Sequence, residues 1–295
     1  MASDDDDLVE QFSESDLRAW RKFAAAESQY HLGRFYHFEA QRQLRDREIL
    51  DALSIPDPER VDDEHCTRIV EYKYSNQPLS SVGSLYSGGR FNIGDDVAAR
   101  RLRPFPALYI GSDYDTAYHE RFGVFRPTKG TDSLRPHELA LQEPDSFSSC
   151  RLIVNLQRLF DLRQIKNLRP YASVEAKFGL PGHLRALEKT IGHKSTPKSL
   201  GAKAIRKTLM SIDWRFLPSN FGIPAAPQVF GRAVRQAGYE GILFRSTKGP
   251  GNCIALYPEN LLPGSSIELA DDIPDPDIAI QATLTADNFE AMQTR

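Results

Sequence analysis

The chain has 295 residues, is 40% hydrophobic and 26% charged, and carries a net charge of -3. That length suits one large domain, or one domain with appendages, and the composition excludes collagen, a coiled coil and wholesale disorder. No run of 18 apolar residues occurs, so no transmembrane helix is expected.

The start, MASDDDDLVE, is acidic and lacks the basic and apolar regions of a secretory signal, so the expected location is the cytoplasm. Residues 1–12 read as a frayed terminus. From Ser13 the pattern turns helical: Ser13 or Ser15 can cap, and Leu17, Trp20, Phe23 and Ala24 recur at helical spacing. A second helical stretch is expected over roughly 31–53, with Phe35, Phe38, Leu44 and Leu50, and Pro56 and Pro58 close it.

From about Thr67 the texture changes to short strands and turns. TRIVEY alternates, with Arg68, Val70 and Tyr72 on one face. SGGRFNIG is a glycine-rich turn and PALYIG a short apolar strand. SDYDTAYHERFG reads as a helix with Ser112 as N-cap, Asp115 three residues on, and Gly123 as C-cap. Residues 124–150 read as loop, and RLIVNLQRLFDL as a strand. Residues 169–215 are rich in Lys and Arg with helical pieces. AAPQVFGRAVRQAG has Pro227 near a helix start and Gly238 just past its end. EGILFRS and CIALYP make a β-hairpin about TKGPGN. Beyond Leu262 the tail is rich in Pro and Asp and is expected to be weakly structured.

Three widely spaced cysteines, Cys66, Cys150 and Cys253, read as reduced thiols. The seven histidines show no metal-ligand spacing, and no metal is expected. Charge is uneven: residues 1–67 hold about 17 acidic against about 8 basic side chains, and residues 150–215 about 14 basic against about 4 acidic. A basic middle suits a phosphate-bearing ligand, or simply pairs with the acidic ends.

Four places carry chemistry: Arg68, Arg90 in the GGRFN turn, the strand–helix unit from Tyr109 to Glu120, and Ser246 in the last hairpin. Each also has an ordinary role, since Arg and Glu are mostly solvated and Ser often forms turns. Their placement favours more. Glu120 shares a helix face with Thr116 and Ala117, small residues that allow close packing on a sheet. Ser246 ends a strand face begun by Ile242 and Phe244. Gly88 and Gly89 let the backbone before Arg90 approach a ligand, and Arg68 and Arg90 can each fork two bonds to a phosphate. This set suits cleavage of a ribose–nicotinamide bond. The leaving group is already cationic, so no general acid is needed, and a carboxylate can stabilise an oxocarbenium-like state.

At these residues the chain resembles the RES domain family, named for its Arg, Glu and Ser. The family's first Arg matches Arg68 in TRIVEY. Its GGRWN turn matches Gly88-Gly89-Arg90-Phe91-Asn92, with Phe for Trp. Its Tyr, followed eleven residues later by Glu, matches Tyr109 and Glu120. Its late YDGIxxxS strand matches Tyr239 through Ser246, with Glu240 for Asp, and the Asn opening the next strand matches Asn252. The match runs from about Thr67 to Leu262. The stretch between GGRFN and ALYIG is longer than usual, and residues 165–225 are expanded and basic.

The resemblance implies an α+β fold, an ADP-ribosyltransferase-like split β-sheet with flanking helices, to which the residues add an N-terminal helical extension outside the resemblance. The chain is thus expected to divide into an acidic helical extension (1–58), a catalytic NAD-binding domain (59–265) and an acidic tail (266–295). The resemblance implies catalytic roles for Arg68, Glu120 and Ser246, and NAD binding by Arg90, Tyr109 and Asn252. NAD is substrate, with no separate cofactor, and phosphate or water is the acceptor. The implied biology is a toxin that depletes NAD, held in check by an Xre-type helix-turn-helix antitoxin; a homodimer is a further assembly open to it. Two rivals stand beside this: an ADP-ribosyltransferase with a protein or nucleic-acid acceptor, and a nucleic-acid-binding module using residues 150–215. Sparse aromatics there (Tyr171, Phe178, Trp214) disfavour a base-stacking platform.

Overall fold

The computed structural model describes residues 13–97, 102–123, 147–193, 201–271 and 280–293. Most of the expected 124–150 loop lies outside these residues, and its last part, 147–150, is strand.

Ser13 caps α1 (Glu14–Leu44): its hydroxyl accepts from Asp16 N, and the Asp16 carboxylate accepts from Ser13 N. One continuous helix replaces the two expected, because AAAESQYH contains no breaker and begins with the best helix former. The chain breaks only at Arg45, and α2 (Asp46–Ser54) follows. The Leu17, Trp20 and Phe23 stripe has helical spacing but stays exposed, at 44%, 66% and 45%, because α1 meets the body only from Ala26 onward. There Gly33 lets the helix approach Leu184 of α6 (Gly182–Thr190). Arg232, on α9 (Ala226–Gln236), pairs with Glu39 of α1 at 2.6 Å and ties the helix to the body.

The sheet is built on two long strands. β1 (Glu59–Glu71) runs antiparallel along nearly all of β3 (Phe147–Asp161). β1 also touches β2 (Leu108–Gly111) at Thr67↔Gly111, β2 pairs with β5 (Asn252–Leu256), β5 with β4 (Gly241–Arg245), and β4 with the C-terminal end of β3. These five strands close a ring. The sheet splits at β3, because β6 (Ser266–Leu269) takes the same edge of β3 nearer its start, and β7 (Thr283–Thr285) pairs with β6. The fold is α+β.

Strand β4 is parallel to β3, so a long crossover must join them. It consists of α5 (Arg169–Glu175), α6, α7 (Ala202–Leu209), α8 (Phe216–Asn220) and α9. The expanded basic region thus has a topological task. Its charges are partly paired with acids elsewhere, as Lys177 is with Glu48 at 2.5 Å and Arg232 with Glu39 at 2.6 Å, and just before it Arg163 pairs with Glu59 at 2.9 Å.

Side-chain alternation separates two cores. Leu108, Ile110, Ile254 and Leu256 face the inside of the ring, with Leu152, Val154 and Ile267. Ile242, Phe244, Cys253, Ala255 and Tyr257 face the helices. The tail departs from expectation. Residues 266–269 and 283–285 are strands, and Leu284 and Met292 are buried, because β6 finds the free edge of β3 and its apolar residues close the ring's core.

Candidate active site

Helix α4 (Tyr114–Phe122) sets the first catalytic candidate. Its N-cap is Asp113, not Ser112: the Asp113 carboxylate accepts from Thr116 N at 2.7 Å. Ser112 is occupied otherwise, bonding in both directions to the backbone of Asn252. Gly123, at φ 87°, closes the helix as expected. Thr116 and Ala117 are buried, and α4 lies so close to β2 that a Cβ on Gly111 would sit 2.7 Å from Ala117 N. One turn later the same face carries Glu120 to the β4–β5 hairpin.

There Glu120 and Ser246 meet. Glu120 Oε1 accepts from Ser246 Oγ at 2.5 Å and from Thr247 N at 2.8 Å. Ser246 Oγ in turn accepts from Lys248 N at 3.1 Å and Gly249 N at 2.6 Å. Its one proton and both lone pairs are therefore engaged. Lys248 Nζ donates to Glu120 O at 3.1 Å, and burial pushes this amine down, with Glu120 opposing and Arg90 reinforcing the shift. Glu120 Oε2 has no hydrogen-bond partner among the described residues.

Arg90 reaches the same loop from the other side. Its guanidinium donates to Thr247 Oγ1 at 2.9 Å, to Ser211 O at 2.8 Å and to Leu209 O at 3.1 Å. It lies 5.6 Å from the Trp214 ring centre, and Arg215 flanks the same ring. Burial lowers the Arg90 pKa, and the Glu120 charge works against that.

Tyr109 underpins the turn that carries Arg90. Phe91 N donates to the Tyr109 hydroxyl at 2.8 Å, which donates to Asn92 Oδ1 at 3.0 Å. Gly89 is required here, since a Cβ would stand 2.4 Å from the Tyr109 ring. Gln228 of α9 clamps the turn through Gly89 O and Asn92 O. Burial raises the Tyr109 pKa, so the phenol stays neutral.

Arg68 and Asn252 are placed differently. The Arg68 guanidinium donates to Pro78 O at 2.8 Å, Ser80 O at 3.0 Å and Tyr109 O at 3.0 Å. It bridges β1 to β2 just where their pairing stops. Burial pushes it down to about 10, still charged at neutral pH. Neither hydrogen bond nor ion pair joins Arg68 to Glu120 among the described residues. Asn252 alternates with Ile254 and Leu256 and lines a cavity with Glu59, Cys66, Ser112 and Arg163. Cys253, in contrast, is on the side of Glu120 and Ser246; burial, then the Glu120 charge, raises its thiol pKa and keeps it protonated.

The structure therefore gathers Glu120, Ser246 and Arg90, with Tyr109 beneath. Thr247, Lys248 and Trp214 join them without being singled out in the sequence. The TKGPGN turn signal concealed the first two, and Trp214 stands alone in a basic stretch. The assembled groups are one carboxylate, two cations, hydroxyls and an aromatic ring. They can hold a phosphorylated ligand and stabilise a cation forming beside the carboxylate.

Residues 65–276 match the RES domain family. No curated protein sequence matches. Among solved structures, the chain is similar to one from the MbcT-MbcA toxin-antitoxin complex of M. tuberculosis, at 14% identity and a TM-score of 0.40, over 83% of this chain and 97% of that one.

Proposed function

The chain belongs to the RES domain family, and from that premise we propose that it cleaves the nicotinamide–ribose bond of NAD. The contact between Glu120 and Ser246, with Arg90 joined to it through Thr247, carries this reading. As the C–N bond breaks, its electron pair goes to the pyridinium ring and nicotinamide leaves neutral. The ribose carbon becomes cationic, and Glu120 is the carboxylate that faces that charge. Ser246 and Thr247 N hold Glu120 in place, so its orientation costs no reorganisation during reaction. Arg90 and Lys248 supply positive charge for the pyrophosphate, and Trp214 a flat surface beside it.

Phosphate or water then adds to the ribose and releases a proton. A filled hydrogen-bond set at Ser246 Oγ supports a positioning role for this residue rather than nucleophilic attack. On the family reading the protein is a toxin that depletes NAD, with a helix-turn-helix antitoxin as its partner. The test is incubation of the pure protein with NAD, with and without phosphate, followed by mass analysis. Nicotinamide together with ADP-ribose or its phosphorylated form is expected. Intact NAD would overturn the reading, and ADP-ribose attached to a macromolecule would replace the small acceptor with a transferase acceptor.

A further inference from the structure

We propose that Glu27, His31 and His193 form a site for a divalent transition ion of the zinc class, which fastens the N-terminal helix to the segment after α6. Glu27 and His31 are four residues apart on α1 and share a face. His193 follows α6, where Gly192 at φ 69° turns the chain and His193 N donates to Glu188 O at 3.1 Å. The three side chains place their ligand atoms within 4.8 Å of one another.

A second observation points to a ligand. His31 is only 7% exposed, and its Nε2 is fully buried with no hydrogen-bond partner among the described residues. Buried polar atoms are nearly always satisfied, so an imidazole nitrogen left bare inside a group of metal-binding side chains calls for an explanation. The ring is held firmly: it stacks on Phe221 at 4.7 Å and meets Tyr30 and His193 edge-on at 5.2 and 5.4 Å. His31 is thus a fixed first ligand.

The other two ligands have room to adjust, since His193 is exposed and Glu27 half-buried. Tetrahedral zinc with bonds of about 2.0–2.1 Å needs ligand atoms about 3.4 Å apart, so the cluster closes by roughly 1–1.5 Å through side-chain rotation. Two imidazoles and one carboxylate are a known zinc ligand class, with water in the fourth position. An imidazole ligates through a nitrogen lone pair, which a buried Nε2 without a hydrogen-bond partner among the described residues can offer. Arg34, one turn further along α1, opposes a cation, and the Glu27 carboxylate offsets it.

An ion here would strengthen a thin contact. Ala26, Tyr30 and Ile191 form a small apolar cluster between α1 and the end of α6, apart from the two main cores. Helix α1 lies outside the RES match and α6 inside it, so the metal would couple the extension to the family domain. This inference does not depend on NAD cleavage.

The test uses tag-free full-length protein stripped with chelator and titrated with zinc chloride by calorimetry. One ion per chain is expected, with a rise in Tm. Cobalt(II) chloride should give the visible bands of a four-coordinate site. His193 is exposed and Glu27→Gln keeps the side chain's size, so the Tm of Glu27→Gln and His193→Gln in chelator should equal the parent's. Each should weaken zinc binding at least about tenfold and abolish the cobalt bands. Absence of stoichiometric zinc binding by the parent would overturn the site, and so would parent-like affinity in both variants.

Discussion

Arg68 and Arg90 look alike in the sequence, each beside a short strand or turn, yet the two corners they occupy differ in one partner. At the Arg68 corner all three hydrogen bonds end on backbone carbonyls, of Pro78, Ser80 and Tyr109, and hold β1 against β2. At the Arg90 corner one bond ends on Thr247 Oγ1, in the loop that also holds Glu120, and Trp214 lies alongside. Where an arginine's donors go separates a residue bonded only to backbone from one that also reaches the candidate site. A strand motif gives the residue type but not that destination.

The largest effect that would break this contrast is on stability at the first corner. Arg68→Leu leaves three carbonyls without their charged donor and should cost about 3 kcal/mol, read from urea denaturation. Arg68→Lys should recover only part, because one ammonium cannot span three acceptors. Parent-like stability in Arg68→Leu would free Arg68 for a ligand and erase the distinction.

At the second corner the loss should appear in turnover instead. Glu120→Gln keeps an acceptor for Ser246 and Thr247 but removes the charge, so kcat for NAD cleavage should fall by about 10²-fold or more, roughly 2.7 kcal/mol, with Tm little changed. Unchanged turnover would remove Glu120 from the chemistry.

Ser246→Ala strips Glu120 of a donor and leaves Lys248 N and Gly249 N without their acceptor. A loss of about 1–2 kcal/mol in stability and a fall of tenfold order in kcat are expected. Intact-protein mass after a rapid quench with NAD should show no adduct on the parent. An ADP-ribosyl group mapped to Ser246 would make it a nucleophile.

Gly89→Ala sharpens the link between the corners, because Tyr109 touches both: its carbonyl takes Arg68 and its ring supports the Arg90 turn. The added methyl should cost about 1–3 kcal/mol by overpacking, seen in thermal melts.

The smallest effect is at Asp113. Its hydrogen bonds to Ser112 and Thr116 hold its pKa below the ordinary value despite some burial. The cap therefore stabilises fully above the unfolded carboxylate's pKa of about 3.9 and is lost as pH falls through the lower folded value. Asp113→Asn keeps an acceptor, so its acid melting curve should be flatter than the parent's below about pH 4.

The parts of the fold legible in the sequence are those with local signals. Gly123, Pro227 and Gly238 mark helix ends, and EGILFRS and CIALYP pair as a hairpin. Strand alternation places Ser246 on the side of Phe244, and helical spacing places Glu120 with Ala117. What escaped depends on distant partners. β6 and β7 are four and three residues long and lie in a Pro- and Asp-rich tail, so only the free edge of β3 reveals them. Asn252 and Cys253 are neighbours on opposite faces of β5, which a motif match does not distinguish. Glu27 and His31 share a helical turn, but His193 joins them only through the packing of α1 on α6.

The ring closed through β3 and β4 bears on how the protein comes off the ribosome. Glu120 lies in the first half of the chain, while Ser246 is presented by a hairpin whose parallel pairing to β3 waits for the whole α5–α9 crossover. Contacts so far apart in sequence form late. A nascent chain that has emerged only as far as α9 already holds its carboxylate, yet lacks the loop that orients it. Glu120 therefore waits for the β4–β5 hairpin, near the end of synthesis, before Ser246 and Thr247 can fix its orientation.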